Sequence, residues 1–156
     1  MALGKTYRAS GGQSIAANAT ETQLVLTAPS NRVVRLRRVS FGQDGHNNSE
    51  TVLLEVLRAT AAGSGGAGQT PQPTQPNLGA AASTVSAGPT TEPTYAAEEP
   101  YLQIAVNTAL GRDYMWDPES APIVPPSGIV GVRVTNRTGN TAIGSPRCDL
   151  EFEEIG

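Results

Sequence analysis

The sequence is poor in the side chains that most enzymes use for chemistry. One cysteine, Cys148, and one histidine, His46, occur in 156 residues. A single cysteine excludes a disulfide within the chain and leaves no pair of thiols at metal-ligand spacing. A Ser-His-Asp or Cys-His arrangement would need His46, which lies in a polar stretch with no shielding side chains beside it. We therefore expect no catalytic residue, no bound metal and no cofactor.

Charged residues, aromatic residues and long apolar runs are also scarce. Charged residues make up 16% of the chain, aromatic residues 4%, and the formal net charge is -3. No overall positive field attracts nucleic acid or an anionic membrane. No window approaches the roughly 18 apolar residues of a membrane span, and the opening "MALGKTYRASGGQ" has no apolar signal-peptide core. We expect a soluble protein that binds neither nucleic acid nor membrane.

Short runs of alternating apolar residues, separated by turn residues, dominate the rest of the chain. Alternation is clear in "TQLVLTA", "YLQIAVN", "GIVGVRVTN" and "RCDLEFEE", and no segment keeps a 3.6-residue apolar period. Cys148 falls on the apolar face of the last run, so we expect an inert core thiol. Counting "SIAANAT" and a short "DYMW" segment, roughly eight strands emerge. The prediction is an all-β, antiparallel β-sandwich, jelly-roll-like, with an Ig-like sandwich as the alternative.

Several local features refine this prediction. The apolar phase changes within "RVVRLRRVSF", which predicts a bulge near Arg37 or Arg38. "TVLLEVLRA" carries apolar residues on both faces and is expected to be a central strand. The Asp-Gly in "GQDGHNNS" predicts a hairpin loop. In "PESAPIVPPSG", Ile123 and Val124 are expected to plug one end of the sandwich.

A long segment of small, uncharged residues interrupts the strands. It runs from Ala59 to Thr94 and contains one charged residue, Glu92. Because strands on both sides are needed for one core, we predict an irregular insertion at about 59–94 within a single sandwich domain over residues 13–156. Low charge and the spacing of its prolines favour an extended strap on a protein surface over a solvated coil. We expect the strap to be ordered, against its own body or a neighbouring subunit.

Two clusters of charge are candidates for partner binding. Arginines crowd the strand of "RVVRLRRVSF", while Asp149, Glu151 and Glu153 share the outward face of the last strand. These stripes either pair with each other across a sheet or leave one stripe to dock a partner through bidentate Arg–carboxylate contacts. Residues 1–12 read as a basic, aromatic arm hinged at Gly11 and Gly12, either disordered or docking on a partner. The predicted partner-binding residues are Lys5, Tyr7, Arg8, Arg35, Arg37 and Arg38.

The layout as a whole resembles a known class of protein. An N-terminal arm, "VVRLRRVSF", "TVLLEVLRATAAGSGG", an insertion closing on "TTEPT", "PIVPPSGIVGVRV" and a terminal "LEFEE" resemble small β-structured virion proteins of tailed bacteriophages. Among these the chain looks most like the head decoration, or cement, proteins. The resemblance implies a non-enzymatic homotrimer on the capsid exterior, made in the host cytoplasm, that binds the major capsid protein and holds neighbouring capsomers together.

Two other functions remain as alternatives. A tail- or fibre-associated module would recognise a host surface glycan through exposed aromatic side chains, for which Tyr95, Tyr101, Tyr114 and Trp116 are the candidates. Trp116 could equally cap the core. A hydrolase would have to use His46.

Overall fold

The computed structural model describes residues 4–44 and 49–156. Over these residues the chain forms thirteen strands and no helix. The strands are β1 (Lys5–Gly11), β2 (Thr20–Thr27), β3 (Val33–Gln43), β4 (Thr51–Ala61), β5 (Ala67–Gln69), β6 (Gln72–Pro73), β7 (Thr84–Ala87), β8 (Thr94–Tyr95), β9 (Leu102–Asn107), β10 (Arg112–Met115), β11 (Ile123–Val124), β12 (Ile129–Asn136) and β13 (Pro146–Ile155).

The strands form two antiparallel sheets packed face to face. Sheet I has the order β10-β3-β13-β1-β6, and β11 also pairs with β3. Sheet II has the order β5-β7-β2-β12-β4-β8, and β9 also pairs with β4. The all-β sandwich predicted from the alternating apolar runs is confirmed.

The order of pairing is that of a jelly roll. β1 pairs with β13, β2 with β12, β3 with β10 and β11, and β4 with β9, so the chain pairs from its two ends inward. Each of the first four strands lies in the sheet opposite to the one before it. An Ig-like sandwich keeps some consecutive strands in one sheet, so this pairing selects the jelly roll over the Ig-like alternative.

The core lies between the two sheets and is built from the alternating residues of the long strands. Leu24, Leu54, Val132, Leu150 and Phe152 have no exposed surface. Cys148 lies beside them, and burial raises the pKa of its thiol. Thiolates are the reactive form of cysteine, so Cys148 is an inert core residue, as its position in the alternation predicts.

The predicted bulge in β3 lies at Arg37. Arg38 is opposite Glu151 and Leu36 is opposite Phe152, which leaves Arg37 as the extra residue. The extra residue shifts the alternation of inward and outward side chains by one position, so that the apolar residues before and after the bulge face the same core. The central position of β4, between β12 and the pair β8 and β9, is also as predicted.

The insertion lies on the body of its own chain and reaches both sheets. β7 pairs with β2, and β5 pairs with β7, so these strands extend sheet II. β6 pairs with β1 and extends sheet I. The predicted range needs correction, because Ala59–Ala61 belong to β4 and because short strands make the segment less irregular than expected.

Two buried side chains hold the middle of the insertion at the end of the sandwich. The Tyr7 hydroxyl donates to the carbonyl oxygen of Gly79 at 3.0 Å. The buried Glu154 carboxylate accepts from the backbone N–H groups of Ala82 and Ser83 at 2.8 and 2.7 Å, and from Arg32 at 2.9 Å. Each tie joins a strand of sheet I to a segment about seventy residues away.

The prediction of an N-terminal arm over residues 1–12 is wrong for residues 5–11. These residues form β1, which lies between β13 and β6. Gly11 and Gly12 are not a hinge: a Cβ on Gly12 would stand 2.6 Å from the Pro146 carbonyl oxygen, and one on Gly11 would overlap the Ala87 side chain. Both glycines allow close packing of backbone.

Three smaller predictions also need correction. The hairpin predicted over "GQDGHNNS" is not formed, because β3 and β4 lie in different sheets; residues 45–48, including His46, lie outside the described residues. "SIAANAT" contributes an isolated bridge from Ile15 to Ile143 rather than a strand. Val124 is buried as expected, but Ile123 is 46% exposed because β11 turns alternate residues to opposite faces.

Tyr7→Phe tests the tie between β1 and the insertion. The change removes one hydrogen bond without removing the buried ring, so we expect the free energy of unfolding to fall by about 1 kcal/mol. Chemical denaturation measures it. Tyr114→Phe is the matched control, because the ring of Tyr114 packs on Trp116 while its hydroxyl ties no distant segment among the described residues. It should change stability by less than about 0.5 kcal/mol. Equal losses in both variants would contradict the tie.

Candidate interaction surface

The two sides of the sandwich differ in how their strand edges are treated. On one side the insertion covers the edges of β1 and β2 with β6 and β7. On the other side β9, β10 and β11 are edge strands that no other described strand covers. We call this second side, with the 108–111 turn, the open side. Uncovered strand edges present backbone N–H and C=O groups that another chain can pair with.

Large apolar side chains are exposed along the open side. Leu110, in the turn between β9 and β10, is 87% exposed, Met115 on β10 is 70% exposed, and Ile123 on β11 is 46% exposed. Met115 is in register with Arg38, and Ile123 with Arg35, on the outward face of β3. Exposed apolar residues aligned at a strand edge are typical of a surface that another protein covers.

The two charge stripes predicted from the sequence lie on neighbouring strands and pair with each other. Arg35 and Arg37 contact the Glu153 carboxylate at 3.5 and 3.1 Å. Arg38 donates from Nε to Asp113 at 2.6 Å. Each of these three arginines therefore contacts a carboxylate, with Glu153 shared by two of them, so they do not form a free positive stripe. The arginines of these pairs are each about one-third exposed, so the pairs contribute modest stability.

A further pair joins β1 to β13 on the same face. Arg8 contacts Asp149 at 2.6 Å, and the Ser10 hydroxyl also donates to that carboxylate. Burial works to raise the pKa of Asp149, but the hydrogen bonds from Ser10, Arg8 and Ser40 outweigh it and hold the pKa below its usual value. The charge of Arg8 is thus committed to its own sheet.

The structure brings four of the six predicted residues together. Arg8, Arg35, Arg37 and Arg38 share the outer face of sheet I, and Arg35 and Arg38 lie beside the exposed apolar residues. Lys5 is exposed at the start of β1. Tyr7 is corrected: its ring is fully buried against Phe152, with centroids 5.9 Å apart, and is not available to a partner.

Sequence reasoning missed the apolar residues of the open side. A signal was present in "YMW", because three consecutive apolar residues in a strand must place at least one side chain on the outer face. Tyr114 and Trp116 face inward and contact each other edge to face at 5.2 Å, and Trp116 is buried. Met115 between them is therefore the residue directed outward. Trp116 caps the core and is not a partner anchor.

None of the four aromatic candidates for glycan binding is exposed. Trp116 is buried, and Tyr95, Tyr101 and Tyr114 are half-buried. A cleft of about 620 Å³ has no aromatic side chain among its described lining residues, which are small and polar and include Ser10, Gly12, Gln13, Gly88, Ser145 and Arg147. A second open depression, of about 530 Å³, is formed by residues 117–120 between β10 and β11.

Within residues 4–44 and 49–156 no three metal-ligating side chains come together. The described chain has no helix of the length and apolarity needed to cross a membrane. Comparison with family models, with curated proteins and with solved structures finds no match.

Proposed function

We propose that the chain is a non-enzymatic structural protein of a bacteriophage head, which decorates and stabilises the capsid by binding the major capsid protein and copies of itself. It acts as a homotrimer on the capsid exterior. The open side is the observation that carries the proposal, because it combines uncovered strand edges with exposed apolar side chains.

The asymmetry between the two sides supports a binding role for the open side. The insertion covers the edges of β1 and β2 within the chain, and its last strand, β8, pairs with part of β4. Among the described strands, β10 and β11 receive no such cover, and Met115 and Ile123 expose apolar surface there at a cost in solvation. A surface left in this state is suited to burial against another subunit.

The composition of the open side fits a protein interface. Methionine and arginine are enriched at the centres of interfaces, where apolar anchors are surrounded by polar groups. Here Met115 and Ile123 would supply the anchors, and Arg35, Arg38 and Asp113 the polar surround. Because each of these arginines already contacts a carboxylate of its own chain, recognition would depend on short-range fit more than on long-range electrostatic attraction.

The double substitution Met115→Glu/Ile123→Glu tests this proposal. Both side chains are exposed, so the fold should be retained while binding is lost. We expect the wild-type protein to be a trimer by light scattering and to sediment with expanded capsids of its phage. The double variant should lose roughly tenfold or more in apparent affinity for capsids, with an unchanged melting temperature.

The matched control is Thr70→Glu/Gln75→Glu, which adds the same charge to exposed positions of the insertion. This control should sediment with capsids like the wild type. A wild-type protein that is monomeric and does not sediment with capsids would overturn the proposal. Equal capsid binding by the two double variants would show that the open side is not the surface that binds the capsid.

A further inference from the structure

The free edge of β10 presents the backbone groups of two residues. The Trp116 N–H donates to the Arg37 carbonyl at 3.0 Å, so Trp116 is hydrogen-bonded to β3. In an antiparallel ladder, residues that bond to one neighbour alternate with residues that do not. Asp113 and Met115 lie three positions and one position before Trp116. Their N–H and C=O groups therefore point away from β3, toward the edge that no described strand covers.

The side chains of the same two residues lie on the outer face of sheet I. Met115 is opposite Arg38, and Asp113 is opposite Ser40. Arg38 donates from Nε to the Asp113 carboxylate at 2.6 Å, while Met115 is 70% exposed. A strand added beside β10 would therefore meet an apolar side chain and a carboxylate that are two positions apart.

Turns at both ends of β10 limit the length of a segment that fits. Before the strand, the Gly111 N–H donates to the Asn107 carbonyl at 2.9 Å. After it, the Ser120 N–H donates to the Asp117 carbonyl at 3.0 Å, in the turn that forms the open depression described above. Between the two turns β10 has four residues, so the edge suits a segment of about the same length.

The other two edges of the open side are less suited to such a segment. β11 has two residues, so its exposed Ile123 would add apolar contact but little of a ladder. β9 is six residues long, but its exposed side chains, Gln103 and Ala105, include no large apolar group. β10 is the edge that combines free backbone groups, a large exposed apolar side chain and a charge.

A second copy of β10 fits this edge poorly. Antiparallel pairing of two copies through their free groups allows registers centred on Asp113, Tyr114 or Met115. The first sets Asp113 opposite the same residue of the other copy, and the last sets it opposite Asp117. The middle register sets each Asp113 opposite Met115, with no basic neighbour on the added strand. Like charges directly opposite each other destabilise a sheet, so the edge favours a segment of different sequence.

We propose that β10 binds an extended segment of the partner protein, which adds a strand to sheet I and carries an apolar residue opposite Met115 and a lysine or arginine, two positions away, opposite Asp113. The inference rests on the proposed function, under which this partner is the major capsid protein. Main-chain hydrogen bonds to Asp113 and Met115 supply affinity, and the two side-chain positions supply selectivity. Opposite charges that face each other across two strands stabilise their pairing.

Asp113→Pro and Asp113→Ala, made in the full chain, separate backbone pairing from side-chain contacts. Both remove the carboxylate, but only Asp113→Pro removes the N–H that faces the free edge, and it breaks no hydrogen bond to β3. In sedimentation with expanded capsids, Asp113→Ala should lose about fivefold or less in apparent affinity. Asp113→Pro should lose roughly a further tenfold, with both melting temperatures within about 4 °C of wild type.

Asp113→Lys tests the predicted basic residue of the partner. It sets a like charge opposite that residue, so it should bind capsids roughly threefold or more weakly than Asp113→Ala does. Binding as tight as that of Asp113→Ala, or tighter, would overturn this part of the proposal.

Hydrogen exchange of the wild type, with and without expanded capsids, does not depend on how well a variant folds. In peptides covering residues 111–116, two amides should exchange roughly tenfold or more slowly on binding, because Asp113 and Met115 gain hydrogen-bond acceptors. Peptides covering residues 67–73, in the insertion, should exchange at the same rate in both states. Unchanged exchange over residues 111–116 in the bound state would overturn the pairing.

The outcomes distinguish a failure of this inference from a failure of the proposed function. If the wild type does not sediment with capsids, both fail. If Met115→Glu/Ile123→Glu loses binding while Asp113→Pro binds like Asp113→Ala, the open side remains the binding surface and the strand pairing is wrong. If Asp113→Pro converts a wild-type trimer into monomers, as measured by light scattering, β10 binds a second copy, and the partner proposed for this edge is wrong.

Discussion

Replacement of Arg133 by alanine is expected to lower the free energy of unfolding by about 3 kcal/mol or more. The side chain of Glu55 is 7% exposed, and its carboxylate accepts from Nε and Nη2 of Arg133 and from Nε2 of Gln103 at 2.8 Å. Without Arg133 the carboxylate would remain under the outer surface of sheet II with one neutral donor. The cost comes from this uncompensated charge, and chemical denaturation measures it.

Two further variants distinguish the loss of the Glu55–Arg133 pair from the general effect of removing an arginine from the surface. Arg58→Ala removes an ion pair of similar length, 2.8 Å to Glu98, in which both side chains are about half exposed; it should cost less than about 1 kcal/mol. The double variant Glu55→Leu/Arg133→Leu removes both charges and should regain more than half of the lost stability. Equal losses from Arg58→Ala and Arg133→Ala would contradict the argument.

Glu154→Ala is expected to cost about 3 kcal/mol and to loosen the insertion. The Glu154 side chain is 1% exposed, and its oxygens serve two backbone N–H groups of the insertion and the Arg32 guanidinium. All three donors lose their acceptor together. Arg32 is partly exposed and can regain water, which keeps the cost below that of a fully enclosed pair.

The insertion should report this loss directly. Thermal or chemical denaturation gives the stability, and hydrogen exchange should rise in peptides covering residues 79–87. Glu154→Gln keeps an acceptor for the two N–H groups but places a donor opposite Arg32, so an intermediate loss is expected. Glu151→Ala, on the outward face of the same strand, is the control and should change stability by less than about 1 kcal/mol. If hydrogen exchange in residues 79–87 were as slow in Glu154→Ala as in wild type, the conclusion that Glu154 holds the insertion in place would be wrong.

Much of the fold could be predicted because it depends on local alternation. Period-two apolar residues identify the faces of β12 and β13, and the phase change in β3 identifies the bulge at Arg37. The arm prediction failed because Lys5 and Arg8 dominate a short strand in which Tyr7 and Ala9 face inward. Two inward residues are too few to distinguish a strand from a solvated terminus without the neighbours β13 and β6.

The candidate surface was predictable only in part. The arginine cluster can be read from the sequence, but its pairing with Glu153 and Asp113 depends on which strands become neighbours. The outward direction of Met115 is signalled by "YMW", but the exposure of Met115 and Ile123 also depends on the outer face of sheet I being left uncovered there by other described residues, which no local pattern encodes. The same holds for Glu92, whose contact with Thr22 bridges seventy positions of sequence.

The inward pairing of the jelly roll also determines when the chain can fold during synthesis. β13 is the last of the thirteen strands along the chain, yet it lies between β1 and β3 in the middle of sheet I. Until residues 146–155 have left the ribosome, β1 and β3 have no common neighbour, and only one of the two sheets that enclose the core is complete. Contacts between distant residues also slow folding. The nascent chain must therefore be kept from aggregating until residues 146–155 have emerged, and a ribosomal stall before Pro146 would leave an incomplete sheet exposed.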